Sequence, residues 1–349
     1  MSIDSGMVVY ETRELISKFF NLGNPLQLCF TKNATEALNI ALKGILGPNT
    51  HVITTSMEHN SVLRPLKYLE KYHGVEITIV WGNSIGEIDP DSIKQCIKSN
   101  TTLIVATLSS NVNGTVLPIE EFGRISKEYG ILFLLDAAQG AGSINIDVKK
   151  MDIDLLAFPG HKGLMGPQGT GGLYIREGIK INPLLHGGTG SNSKILYQPE
   201  MMPDLLESGT LNLPGIVGLN KGIDFINSIG LSNLKCYKQM LFERFYEGVT
   251  EIKRIRVYSH IGKEKNSGIL AINIGDYDSS EIVDILNKQY GIAARGGFHC
   301  APLAHETLGT GVHGIVRFSL GCFNTIEEID YTIKALRKIS YGIYKKNRA

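Results

Sequence analysis

Four groups of residues in this sequence have types and spacing that suit chemistry. The first is His161–Lys162, set in FPGHKGLMGPQGTGG, a run of glycines with almost no other polar side chain. The nucleotide-binding loop G-x-x-x-x-G-K-[ST] places its lysine after the glycines, and here the lysine precedes most of them. The dinucleotide fingerprint fails as well, because GPQGTGG leads into a strand-like run, GLYIRE, rather than into a helix. A solvated loop lysine is the plain reading. A lysine among glycines and apolar residues is also poorly solvated, which favours its neutral, nucleophilic form. The second group is Asp136, which ends the apolar run ILFLLD. A carboxylate there needs a helix cap, a neighbouring cation or a ligand.

The third group is FTKNATEALNIAL, which reads as a strand, a tight polar turn and a helix start. Asn33 tolerates left-handed dihedrals, and the first helical N–H groups with the Thr35 hydroxyl would form an anion site. Thr35 and Glu36 would equally serve as ordinary capping chemistry. The fourth is ARGGFHCAPLAHETLGTGVHG, with His299, Cys300, His305 and His313. Its spacing fits no standard zinc pattern. Cys300 is then an inert buried thiol or a nucleophile, and nearby Arg295 and His299 would favour its thiolate. Cys29, inside a strand beside Phe30, reads as core. Arg317 lies in IVRFSLG, an otherwise apolar strand, and needs a carboxylate from the protein or from a substrate. An aspartate on a pyridinium nitrogen, a lysine able to form a Schiff base and a phosphate site are together what pyridoxal 5'-phosphate requires as an electron sink.

The elements that position these groups alternate: LQLCFT then TEALNIALKGIL, HVITTS then SVLRPLKYLEKYH, VEITIV, TLIVATLS then EEFGRISKEYG, ILFLLDAA and LLAFPG. Short apolar strands separated by helices predict an α/β fold with a mainly parallel sheet buried on both faces. Ligands collect at the carboxyl ends of such strands. After Ile229 a long amphipathic helix, LSNLKCYKQMLFERFYEGVTEI, leads into shorter strands and helices. This predicts a large cofactor-binding domain over 1–229 and a smaller α+β domain over 230–349 that carries the cysteine loop.

Bulk properties narrow the function classes. A net charge of +1 over 349 residues, with 43% hydrophobic and 20% charged residues, describes an ordinary globular chain and gives no reason to expect nucleic acid. No apolar run approaches the ~20 residues that span a bilayer, so no membrane association is expected. The first residues do not form a signal peptide. Five scattered cysteines without a C-x-x-C pair suit a reducing cytoplasm.

Taken together, FTKNATEALNIAL, SMEHNSVLRPL, SNVNGTVLPI, LLDAAQGAG, FPGHKGLMGPQGTGG, ESGTLNLPGIVGL, ARGGFHCAP and VRFSLGCFNTIEEID resemble the class V aminotransferase-type, fold type I enzymes dependent on pyridoxal phosphate, and specifically the cysteine desulfurases. The resemblance covers nearly the whole chain. It implies that Lys162 forms the Schiff base with the cofactor, that Asp136 pairs with the ring nitrogen, that Gln139 bonds the phenolic oxygen and that His59 stacks on the ring. It further implies that Ala34 (through its N–H), Thr35 and His161 hold the phosphate, with Thr210 reaching it from the partner subunit of a homodimer. Asn111 and Arg317 would hold the substrate carboxylate with Arg295 nearby, and Cys300 would accept sulfur as a persulfide, releasing alanine from L-cysteine and passing sulfur to an acceptor protein. No metal is implied.

The short cysteine loop also resembles the selenocysteine lyase branch, for which L-selenocysteine is the substrate. Another class V aminotransferase or β-lyase activity would dispense with Cys300. A truncated, silent dimeric binding protein is the alternative outside enzymes. Departures from the family pattern are Pro159, where many relatives have a hydroxyl phosphate ligand, and Phe298, where one branch has a polar residue. Met1 corresponds to an internal point of the family, so an opening strand with its D-N-A-A-[ST] motif is missing, and weak or absent turnover is expected from this chain.

Overall fold

The computed structural model describes residues 3–191, 193–262 and 265–346. Its first half alternates helix and strand: α1 (Ile3–Phe20), β1 (Leu28–Thr31), α2 (Ala34–Ile45), β2 (His51–Thr55), α3 (Asn60–His73), β3 (Glu76–Val80), α4 (Pro90–Gln95), β4 (Thr101–Thr107), α5 (Ile119–Tyr129), β5 (Leu132–Asp136), β6 (Leu155–Pro159) and β7 (Gly171–Ile175). The rest comprises α6 (Leu213–Ile229), α7 (Leu231–Thr250), β8 (Ile255–Val257), β9 (Ile269–Ile274), α8 (Ser279–Tyr290), α9 (Pro302–Thr307), β10 (Val316–Ser319) and α10 (Ile326–Lys346).

Strands β1 to β7 form one sheet in the order β1-β7-β6-β5-β4-β2-β3, and every strand but β7 runs in the same direction. The continuous apolar runs predicted a sheet covered on both faces, and every residue of β1, β2, β6 and β7 is buried. Helix α2 lays Leu38, Ala41 and Leu42 over Val52, Leu103, Leu134, Leu155 and Leu173 to make the main core. At roughly 1.5–3 kcal/mol for each buried aliphatic side chain, this cluster anchors the edge at which the polar turns emerge.

The chain divides into two compact units. The larger holds residues 1–80, 88–108 and 118–231, and the smaller holds 81–87, 109–117 and 232–349. The smaller unit thus recruits two early segments, and Asn113 explains why. Its amide donates to the carbonyls of Ile85 (2.9 Å) and Tyr258 (3.0 Å), and its own carbonyl accepts from the Ser259 hydroxyl and the Asn266 amide. The small sheet is antiparallel, ordered β10-β9-β8, and packs Leu270, Ile272 and Val316 against Phe242, Phe245 and Leu336. No helix among the described residues is long and apolar enough to cross a membrane.

One buried ion pair in the larger unit holds the segment that carries Thr210. Arg13 of α1 donates to Glu207 and to the Leu28 carbonyl, and its guanidinium lies over the Phe30 ring. Glu207 also accepts from the Phe30 N–H. Both side chains are almost fully buried, at 5% and 7% exposure. Burial pushes the Glu207 carboxyl up, and the Arg13 charge with its hydrogen bond opposes that rise. Removing one partner of such a pair strands the other charge. Arg13→Ala is therefore expected to destabilise the protein by roughly 3–5 kcal/mol, measured by urea unfolding. Arg13→Met with Glu207→Leu should recover much of that loss.

Candidate active site

In the larger unit the sequence-predicted residues gather on the turns that leave the carboxyl ends of β1, β2, β5 and β6. The turn after β1 is capped differently from the expectation. Asn33 is extended rather than left-handed, at φ −175°. Its side chain accepts from the Glu36 N–H at 2.9 Å, and the Glu36 carboxylate accepts from the Lys32 N–H at 2.6 Å. Asn33 thus performs the capping that the sequence reading gave to Thr35 with Glu36, and Glu36 holds the N–H of the residue before the cap. The exposed Thr35 hydroxyl is left 2.8 Å from that of Ser61, which is itself 2.8 Å from His59 Nδ1. The Ser61 N–H also donates to this nitrogen, at 3.0 Å, so Nδ1 is an acceptor and the neutral ring carries its proton on Nε2. Ala34 and Thr35 are the first two helical residues, whose N–H groups have no partner within a helix.

Asp136 is 2% exposed at the end of β5 and accepts from the Ala138 N–H at 2.8 Å. Burial pushes its carboxyl up, while the Ala138 N–H and the Lys162 charge hold it down. Gln139 follows on the same turn and is half-buried. Lys162, on the turn after β6, is exposed, which corrects the expectation of a poorly solvated amine. The cause lies in the glycines. A Cβ on Gly163 would fall 2.3 Å from the Ala141 carbonyl oxygen, and one on Gly142 would fall 2.2 Å from that of Gly163. On the other side, a Cβ on Gly222 of α6 would meet the Leu164 carbonyl at 2.3 Å. The backbone of the loop is wedged between the Asp136 turn and α6, so its polar side chains project outward. Burial and the Lys162 charge both lower the His161 imidazole from its usual range. Thr210 is exposed, three residues after the anchored Glu207.

The smaller unit holds Asn111, Arg295, Cys300 and Arg317. His299 and Cys300 both have positive φ (50° and 58°), and the Ala301 N–H bonds to the Phe298 carbonyl at 3.0 Å. These are the features of a type I′ turn with Cys300 at its exposed tip. His299 does not assist the thiol as a cation. Its ring is buried, with Nε2 3.1 Å from the Ile315 carbonyl, and it stacks on His305 at 5.8 Å. Burial first, then the Arg317 charge, depress it to about 3. Cys29 is core as expected, and burial pushes its thiol up.

Arg317 pairs by its backbone with Arg295 and donates from Nη1 to the Asn111 carbonyl at 2.7 Å. Its Nε is buried with no partner, and among the described residues no carboxylate pairs with it. Burial, then the Arg295 charge, lower it to about 10. Asn111 in turn donates its amide to the His299 carbonyl at 2.7 Å, tying the cysteine turn to the arginine. Among the described residues no group of three or more His, Cys, Asp or Glu side chains could hold a metal ion.

Two participants escaped the sequence reading. Ser61 links Thr35 to His59, and Glu58 lies buried beneath the turn. The only signal in the sequence was an acid, Glu58, two residues after the strand-like run HVITTS.

Residues 1–332 match the family described as aminotransferase class V. The chain belongs to that family. It is 36% identical, over 95% of its length and 83% of the relative's, to a probable cysteine desulfurase of Methanothermobacter thermautotrophicus. It is 36% identical, over 90% and 76%, to the cysteine desulfurase IscS of Methanosarcina thermophila. The apo structure of the cysteine desulfurase from Thermococcus onnurineus superposes with a TM-score of 0.92, at 32% identity, covering 98% of this chain and 86% of that one. These matches bear out the fold type I architecture and the dependence of the family on pyridoxal phosphate.

Proposed function

We propose that the protein is a homodimeric cysteine desulfurase that transfers sulfur from L-cysteine to Cys300, with the larger unit binding pyridoxal phosphate and the smaller carrying the thiol. The observation that carries this reading is the Asn111 link. One asparagine fixes an exposed thiol turn and a guanidinium without a carboxylate partner in the same hydrogen-bonded unit. A receptor for an amino acid carboxylate is thereby held in register with a sulfur nucleophile.

The residues present fit the cofactor. A buried carboxylate at a strand end suits a protonated ring nitrogen, and Thr35 at a helix start suits a phosphate. His59 offers a flat neutral ring, and Lys162 lies within electrostatic reach of Asp136. Pyridoxal phosphate, when bound, supplies an electron sink for the charge left when the substrate loses its Cα proton. Lys162 takes that proton. Arg317, Arg295 and Asn111 orient the substrate through its carboxylate. The Cys300 thiolate attacks the substrate sulfur, so a sulfur–sulfur bond forms and the carbon–sulfur bond breaks. The bonding pair stays on Cβ of the carbon fragment, which takes up there a proton equivalent to the one the Cys300 thiol released, regains its Cα proton from Lys162 and leaves as alanine.

Support for a dimer comes from the apolar side chains exposed ahead of Thr210, among them Leu196, Tyr197 and Met201 at 100%, 86% and 75%. Five free cysteines support a cytoplasmic setting. Arg317→Ala should leave the cofactor's absorption intact and raise the KM for L-cysteine about 30-fold or more, the effect of losing ~2 kcal/mol of charge-paired binding. An unchanged KM would count against the carboxylate role.

A further inference from the structure

Glu58 is fully buried, with 0% exposure, between Met57 and His59 in the turn after β2. Its Oε1 accepts from the Thr55 hydroxyl at 2.7 Å and from the Thr107 N–H at 2.9 Å. Thr55 ends β2 and Thr107 ends β4, where it is the direct register partner of Asp136 on β5. One carboxyl oxygen therefore ties the turn carrying His59 to the strand end beside Asp136. The other oxygen, Oε2, is buried with no hydrogen-bond partner, and no lysine or arginine pairs with the side chain among the described residues. A bare carboxylate oxygen in such surroundings is far more costly than a carboxylic acid. Burial, with the Asp136 charge adding to it, pushes Glu58 up to about 8 against the two donors on Oε1.

We propose that Glu58 is a positioning residue of the cofactor site that works as an uncharged acid: Oε1 clamps the His59 turn to the end of β4, and the proton retained on the other oxygen leaves the site's negative charge to Asp136 alone. This rests on the cofactor reading above and adds a residue to it. The charged and titratable groups around it are Asp136 on β5, His59 beside it on the same turn and Lys162, which acts on Asp136. A carboxyl that binds its proton more tightly folded than unfolded contributes stability that is complete at low pH. That contribution is lost as pH rises from about 4.5 to about 8. Glutamine keeps the acceptor and cannot ionise.

The test compares wild type, Glu58→Gln and Glu58→Ala by the melting temperature of the apoprotein between pH 5 and pH 9, and by titration with pyridoxal phosphate. The melting temperature of Glu58→Gln minus that of wild type should grow with pH and level off above about 8, gaining ~2–4 °C or more. Glu58→Gln should bind the cofactor as wild type does. Glu58→Ala, which loses the clamp, should bind it at least about tenfold more weakly. A difference that does not change with pH, or a tenfold loss of cofactor binding in Glu58→Gln, would overturn the proposal. The melting arm requires no cofactor, so wild type that fails to bind pyridoxal phosphate defeats the functional reading and the clamp's purpose while the proton is still judged.

Discussion

Lys162→Ala will fold as wild type does and will lose the visible absorption of covalently attached pyridoxal phosphate that borohydride abolishes. The two halves of this expectation rest on different observations. Folding is spared because the Lys162 side chain is exposed and the loop is held by backbone contacts at Gly142, Gly163 and Gly222. A surface truncation away from caps and cores stays within about 0.5 kcal/mol, so thermal unfolding should be indistinguishable. Chemistry is not spared, because no other residue supplies an amine on that turn beside Asp136. Losing the proton-transfer role alone should cost roughly 10²–10⁴-fold in rate, and loss of the covalent link adds to it. A variant that keeps the band would place the attachment elsewhere and dissolve the assignment of the whole turn.

Cys300→Ala should abolish sulfur transfer while leaving cofactor binding, its spectrum and L-cysteine binding unchanged. The thiol is exposed at the tip of its turn, so alanine leaves no cavity. The left-handed backbone there is no worse for alanine than for cysteine, and the Asn111–His299 and Arg317–Asn111 bonds do not involve the side chain. The loss should therefore appear as the absence of a product, with melting temperature and L-cysteine binding preserved. Transamination or β-elimination that survives in this variant at the wild-type rate would favour another class V activity over desulfuration.

The sheet was legible because most of its strands are buried on both faces and read as unbroken apolar runs, as in ILFLLD and TLIVAT. The three-residue β8 carries no such pattern, and it exists only because β9 offers it an edge. Asp136, Lys162 and Cys300 stood out because their neighbours are wrong for them: an acid closing an apolar strand, an amine among glycines, a thiol among turn formers. What misled was inference from residue type to microenvironment. A histidine beside a cysteine suggested a cation, yet its ring turns inward to the Ile315 carbonyl. Asn33 tolerates left-handed dihedrals, yet its side chain is used as the cap, which goes with extended backbone. At positions 142, 163 and 222 the glycines let backbone from elsewhere in the larger unit fill the space a Cβ would take, a packing that no residue type announces. Glu58 was invisible because only the folded chain brings Thr107 to it and leaves its second oxygen without a partner.

In the proposed function, sulfur leaves L-cysteine by attack of Cys300. Its most direct test is a single turnover of the protein loaded with pyridoxal phosphate, with alanine quantified and the Cys300 peptide weighed by mass spectrometry without reductant. One extra sulfur atom on Cys300 and an equal amount of alanine are expected, both absent in Cys300→Ala. Sulfide or pyruvate formed while the Cys300 peptide keeps its unmodified mass would contradict it.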